Sequence, residues 1–139
     1  MSLAPFHLAF PVHELAATRA FYAGALGCRE GRSAPDWVDF ELGGHQLSAH
    51  VCERAPERVP THEVDGDQVP LRHFGLVLEW TEWQRLAERL RAQGVRFLIE
   101  PRVRFAGQVG EQGTFFVEDP SGNALEFKSF RDPSRIFAR

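Results

Sequence analysis

One order of elements occurs twice in this chain, and that repetition restricts the folds open to it. In the first half an apolar strand-like run (6–12) precedes ELAATRAFYAGAL (14–26). There Leu15, Thr18, Tyr22, Ala25 and Leu26 fall on one helical face, His13 is expected to cap the start, and Gly27 ends it. A weak strand over 28–32 is followed by WVDFEL (37–42) and HQLSAHV (45–51), joined by Gly43-Gly44. From His73 the plan restarts. HFGLVLEW (73–80) reads as a strand, and Thr81, with Gln84 three places on, predicts a capping box. Trp83, Leu86, Ala87 and Leu90 form an apolar stripe that ends at Gly94. VRFLIE (95–100), GTFFVED (113–119) and NALEFKSF (123–130) follow as strands, the last two joined by the turn Asp119-Pro120-Ser121-Gly122.

Each half is therefore β-α-β-β-β, and one such unit cannot cover both faces of its own sheet. The expected fold is α+β: two βαβββ modules packed together, helices outside, with a concave trough between the inner sheet faces. A chain of 139 residues is the size of one domain. Module 1 is expected over about 5–52 and module 2 over about 71–130. The Pro- and acid-rich 53–70 reads as a surface linker, and 131–139 as a tail whose Ile136 and Phe137, with Phe130, are apolar enough to dock on its own domain or a second subunit.

Strand alternation assigns side chains to faces. Phe6, Leu8 and Phe10 belong under the first helix, which leaves His7 and Ala9 facing the trough. Phe74 and Leu76 leave His73 and Gly75; Leu125 and Phe127 leave Ala124, Glu126 and Lys128. Ala9, Gly75 and Ala124 are small, as a site with room for an ion and a ligand requires. A carboxylate between Leu125 and Phe127 is costly to desolvate without a positive partner. Two imidazoles and one carboxylate with open positions suit a catalytic divalent metal, above all non-haem iron(II). The alternative is two hydrogen-bonded histidines and a surface glutamate. His50 lies on the same face of its strand as Gln46 and Ser48, so Ser48 is a candidate substrate contact.

Other features set bounds. A net charge of −3 with both signs interspersed gives no footprint for nucleic acid. No apolar run reaches the roughly 18–20 residues that span a bilayer, and MSLAPFHLAF lacks the pattern of a secretory signal. Cys28 and Cys52 have no metal or redox spacing, which suits a reducing cytoplasm. Arg102, Arg104 and the glycine-spaced FAGQVGEQG (105–113) are expected to form a basic loop. Such a loop either closes over the trough, with Arg104 meeting an anionic substrate, or is simply solvated.

The motifs FHLAFPV, FYAGALG, HFGLVL and DPSGNALEF together resemble the vicinal oxygen chelate superfamily of glyoxalase I, bleomycin-resistance proteins, fosfomycin-modifying thiol transferases and extradiol dioxygenases. The likeness covers roughly 5–130, and VRFLIEPRVRFAGQVGEQGTFFVEDPSGNALEFK is similar to small single-domain predicted extradiol-type dioxygenases. The resemblance implies His7, His73 and Glu126 as metal ligands, and His50 as the base that takes and returns a substrate proton or as a fourth ligand. It implies iron(II), with manganese, nickel or zinc as alternatives, a catechol-like small-molecule substrate and a homodimer. Two departures stand out. Extradiol members usually carry a site tyrosine on the strand before the glutamate, where this chain has Phe115 and Phe116, so Phe116 is expected to line the substrate space. Ala9 stands where the fosfomycin enzymes carry threonine, and no glutamate lies near His50 as glyoxalase I would need. A metal-dependent extradiol dioxygenase is the expected function; an isomerase, lyase or thiol transferase on the same site, or a non-catalytic binding protein, are the alternatives.

Overall fold

The computed structural model describes residues 3–53 and 59–139. The chain divides into two compact units, Met1–Glu57 with Asp119–Asn123, and Arg58–Glu118 with Ala124–Arg139.

The first unit holds β1 (His7–Val12), α1 (Leu15–Arg19), β2 (Arg29–Ala34), β3 (Trp37–Leu42) and β4 (His45–Val51). Its sheet has the order β1-β4-β3-β2, with β1 parallel to β4 and the other pairs antiparallel. The α1 helix runs on into a wider π-helical segment, Ala20–Ala25. That segment turns Phe21 as well as Tyr22 and Ala25 into the core, one residue more than a regular 3.6-residue period predicts. Tyr22 stacks on Phe40 at 5.3 Å and lies 5.4 Å from Phe10, so the helix covers the apolar face of the sheet. The cap of α1 is Glu14, whose carboxylate accepts from the backbone of Ala16 and Ala17; it is not His13, whose N–H donates to Ser121.

The second unit repeats the plan with β7 (His73–Val77), α2 (Trp80–Ala92), β8 (Phe97–Arg104), β9 (Gln112–Glu118) and β10 (Ala124–Phe130). Its sheet order is β7-β10-β9-β8, with β7 parallel to β10 and the other pairs antiparallel. Trp83 anchors α2: its indole N–H donates to the Phe127 carbonyl at 2.9 Å, and its ring fills the space over Gly113. The cap is Glu79, which accepts from Thr81 and Glu82, so the predicted capping box at Thr81 and Gln84 starts two residues late. In both helices an acidic side chain offers the acceptor that orphaned N–H groups and the positive helix end favour.

Three further expectations need correction. Part of the predicted linker is a hairpin of β5 (Thr61–Val64) and β6 (Asp67–Pro70), while 54–58 lie outside the described residues. Its turn, Asp65-Gly66, has positive φ at both positions, the type I′ geometry that an Asp-Gly pair supplies. Second, Arg102 and Arg104 are not in a loop but close β8, opposite Thr114 and Gln112. Their charges face Asp65 and Asp67 of the hairpin, which makes strand addition there favourable. Third, within its own unit the tail docks through Arg131, whose guanidinium lies 3.8 Å from the Trp80 ring centre, while Phe137 is 90% exposed and open to the other expected partner, a second subunit.

Candidate metal centre

Two networks, one in each unit, gather the polar side chains that the strand phases select. In the second unit His73 opens β7, and Ala124 of β10 stands opposite it in register, with Glu126 opposite Gly75. Gly75 is needed for this approach. A Cβ there would lie 1.6 Å from the Glu126 carbonyl oxygen, so its smallness makes room for the neighbouring strand, not for a ligand as the sequence suggests.

The His73 Nδ1 meets the Pro70 carbonyl at 2.7 Å, and a carbonyl can only accept. Nδ1 therefore carries the proton, and in the neutral ring Nε2 is a bare lone pair. That lone pair faces a Glu126 oxygen at 3.2 Å. Two acceptors at this distance require a positive centre, either a second proton on the imidazole or a cation that both can bind. Without a cation, a second proton on the imidazole is the state the neighbours favour. The Glu126 hydrogen bond raises the His73 pKa above 6.5, aided by the Pro70 carbonyl and opposed by burial. Burial pushes Glu126 up, but hydrogen bonds from His73 and Thr114 outweigh it and hold the carboxyl below 4.5. Thr114 Oγ1 donates to the other Glu126 oxygen at 2.5 Å, and the Phe116 ring meets His73 edge-on at 4.8 Å.

In the first unit His7 Nδ1 lies 2.9 Å from Gln46 Oε1. Gln46 Nε2 donates to Asp39 at 3.2 Å, and Ser48 donates to the same carboxylate at 2.6 Å. Asp39 and Ser48 are both 6% exposed. An open cleft of about 520 Å³ is lined by Arg29, Arg32, Glu41, Asp39 and Gln46, a size that admits a small molecule. His50 shares this sheet face but stands four residues beyond Gln46 on β4, about 13 Å away at roughly 3.3 Å per residue. Its ring contact is with Trp37. That spacing argues against His50 joining His7 on one ion.

Two of the predicted ligands, His73 and Glu126, thus meet within one unit, and His7 belongs to the other unit. Among the described residues no group of three or more His, Cys, Asp or Glu is gathered closely enough to hold a metal ion. The predicted substrate contacts are buried: Ser48 is engaged by Asp39, Phe116 is 0% exposed, and Arg104 is 4% exposed with one nitrogen on Asp67. Sequence reasoning overlooked Asp39, although its signal is the one Glu126 gives, an acid between Val38 and Phe40 in a buried strand. It also overlooked the anchor of the Asp119–Gly122 turn. There the Tyr22 hydroxyl, 0% exposed, donates to Asp119 at 2.8 Å, while Asn123 reaches the Pro11 carbonyl.

Among the described residues no helix is long and apolar enough to cross a membrane. The family model of the glyoxalase/bleomycin resistance protein/dioxygenase superfamily matches residues 5–127. A search of curated proteins gives no match. Among solved structures, a glyoxalase/bleomycin resistance protein/dioxygenase from Alicyclobacillus acidocaldarius is 32% identical, with 96% of each chain covered and a TM-score of 0.83. The genomically encoded fosfomycin resistance protein FosX of Listeria monocytogenes shares the fold at 20% identity and TM-score 0.72, covering 98% of this chain and 100% of its own. The lactoylglutathione lyase of Agrobacterium tumefaciens does so at 19% and 0.69, covering 99% and 98%. With the repeated βαβββ plan and a family match over nearly its whole length, the chain belongs to the glyoxalase/bleomycin resistance protein/dioxygenase superfamily.

Proposed function

We propose that the chain is a metal-dependent dioxygenase of the extradiol type, acting on a small catechol-like vicinal diol, with His7, His73 and Glu126 as ligands of one iron(II). The observation that carries this reading is the His73–Glu126 pair, an imidazole Nε2 held 3.2 Å from a carboxylate oxygen by the partners Pro70 and Thr114. A carbonyl behind the far ring nitrogen is the support that metal-bound histidines usually have. The donor set, two imidazoles and a carboxylate, fits an oxygen-activating iron better than it fits a closed structural site. When bound, the ion would supply Lewis-acid stabilisation and adjacent positions for both diol oxygens and dioxygen.

The chain's own residues have separate tasks in this reading. Thr114 occupies one Glu126 oxygen, so that the ion would take the other, which faces His73. The buried Phe116 ring shields His73 from water. His50, exposed on the first unit's polar face, is the proposed proton acceptor for the far side of a substrate, since a base need only reach the proton it removes. Ser48 and Arg104 serve from behind, as holders of Asp39 and of the β5–β6 hairpin. β1 and β7 each lie at the edge of their sheet, and Phe6, Leu71 and Val77 are 64%, 42% and 44% exposed, which supports a homodimer.

The test is oxygen uptake by iron-reconstituted protein over a panel of catechols. Uptake that is lost in His73→Ala and Glu126→Ala supports the proposal; iron binding with no uptake on any catechol refutes it. One observation favours a second reading, an isomerase, lyase or thiol transferase using manganese, nickel or zinc. Phe116 faces Glu126 in register and carries no hydroxyl, while the nearby Thr114 hydroxyl is engaged. Activity that follows one of those ions and not iron would select it.

A further inference from the structure

The first unit's hydrogen bonds have only one consistent direction, and that direction prepares His7. A carboxylate accepts and does not donate. Asp39, receiving Ser48 Oγ on one oxygen, must therefore receive the NH2 group of Gln46 on the other. This fixes which end of the Gln46 amide is which, and its carbonyl oxygen is left facing His7. That oxygen is an acceptor, so the ring nitrogen against it, Nδ1, must carry the proton. In the neutral ring Nε2 is then the bare nitrogen, as in a neutral His73, whose Nδ1 proton a backbone carbonyl holds in the same way.

We infer that Asp39 and Gln46 form a positioning relay that sets the tautomer and ring angle of His7, so that its Nε2 is presented as a metal ligand. This rests on the proposed metal site, and it assigns roles to two residues that contact neither metal nor substrate there. The anchored end of the relay is built to stay put. Asp39 is buried, its second oxygen is held by Ser48, and Gly31 leaves space where a Cβ would lie 3.3 Å from the Asp39 Cβ. His7 and Gln46, in contrast, are exposed, so their pairing depends on the buried carboxylate behind it. The two units thus reach one ligand state by different means: a backbone carbonyl for His73, a side-chain relay for His7. Only the second can be removed by substitution without touching the main chain.

The experiment is nitrogen-15 NMR of the histidine rings in the metal-free chain at about pH 8.5, two units above the ordinary imidazole value of about 6.5. Zn2+ affinity by chelator competition accompanies it. The expected result is His7 protonated on Nδ1 in the natural chain, with that preference lost in Gln46→Leu and weakened in Asp39→Asn. Zn2+ affinity should fall about 10- to 100-fold in Gln46→Leu, the usual cost of losing a supporting partner. A His7 protonated on Nε2 in the natural chain overturns the inference. So does a Gln46→Leu chain whose tautomer is unchanged. If the natural chain binds no divalent ion yet loses the Nδ1 tautomer in Gln46→Leu, the relay stands and the metal reading falls.

Discussion

Tyr22 and Asp119 show how one buried hydrogen bond can anchor a turn far along the chain. Burial first, and the Asp119 carboxylate second, raise the Tyr22 pKa well above 10.0, so the hydroxyl keeps its proton and remains a donor. Asp119 also accepts from the backbone of Ser121 and Asn123, and this turn leads directly into β10 and Glu126. Tyr22→Phe should cost about 1–3 kcal/mol in urea unfolding, because a buried acceptor loses its partner. A loss below about 0.5 kcal/mol would show that the phenol is mere filling. The His73–Glu126 pair makes a pH prediction. The His73 pKa is raised, so its contribution to stability is complete below about 6.5 and disappears as pH rises through the folded value. Glu126 is lowered, so its contribution is present above about 4.5 and disappears as pH falls through its folded value. Metal-free protein should therefore gain most from the pair between these limits, and Glu126→Gln should remove that maximum in stability measured against pH. An unchanged profile would mean that the pair contributes nothing.

Elements explain both what the sequence made legible and what it concealed. The strand phases that select His7, His73 and Glu126 were readable because bulky residues such as Phe10, Leu125 and Phe127 must lie under a helix, and period two then dictates the rest. The helix starts were misplaced because an acidic cap is a weaker pattern than a Ser or Thr capping box, although Glu14 and Glu79 perform the same task. The β5–β6 hairpin was concealed by its composition. Its Pro and acidic residues read as linker, yet its Asp-Gly turn was a hairpin signal, and its acids are the partners that draw Arg102 and Arg104 into β8. The role of Gly75 was misread as room for a ligand, since strand proximity cannot be seen before pairing is known. Gly75→Ala should push β7 off β10, cost about 1–3 kcal/mol as overpacking does, and break the His73–Glu126 contact. Loss of the His73 NMR signature of that contact, alongside lower stability, is the expected result; an alanine variant with both intact would contradict the close strand approach.

At the scale of the molecule, the repeated plan divides the proposed ligands between two units, and an assembly of two chains is part of the proposal. Mixing inactive His7→Ala and Glu126→Ala chains distinguishes the possibilities. If each site combines His7 of one chain with His73 and Glu126 of another, a mixed dimer regains one intact site and about a quarter to a half of the activity. If each chain completes its own site, no mixture recovers. The central claim, one divalent ion on these three side chains, is tested most directly by anomalous diffraction at the metal edge from protein purified without chelators. A single peak is expected within bonding distance, about 2.0–2.2 Å, of the Nε2 atoms of His7 and His73 and an oxygen of Glu126. A peak bound elsewhere, or none in crystals grown with excess iron, manganese and zinc, would contradict it.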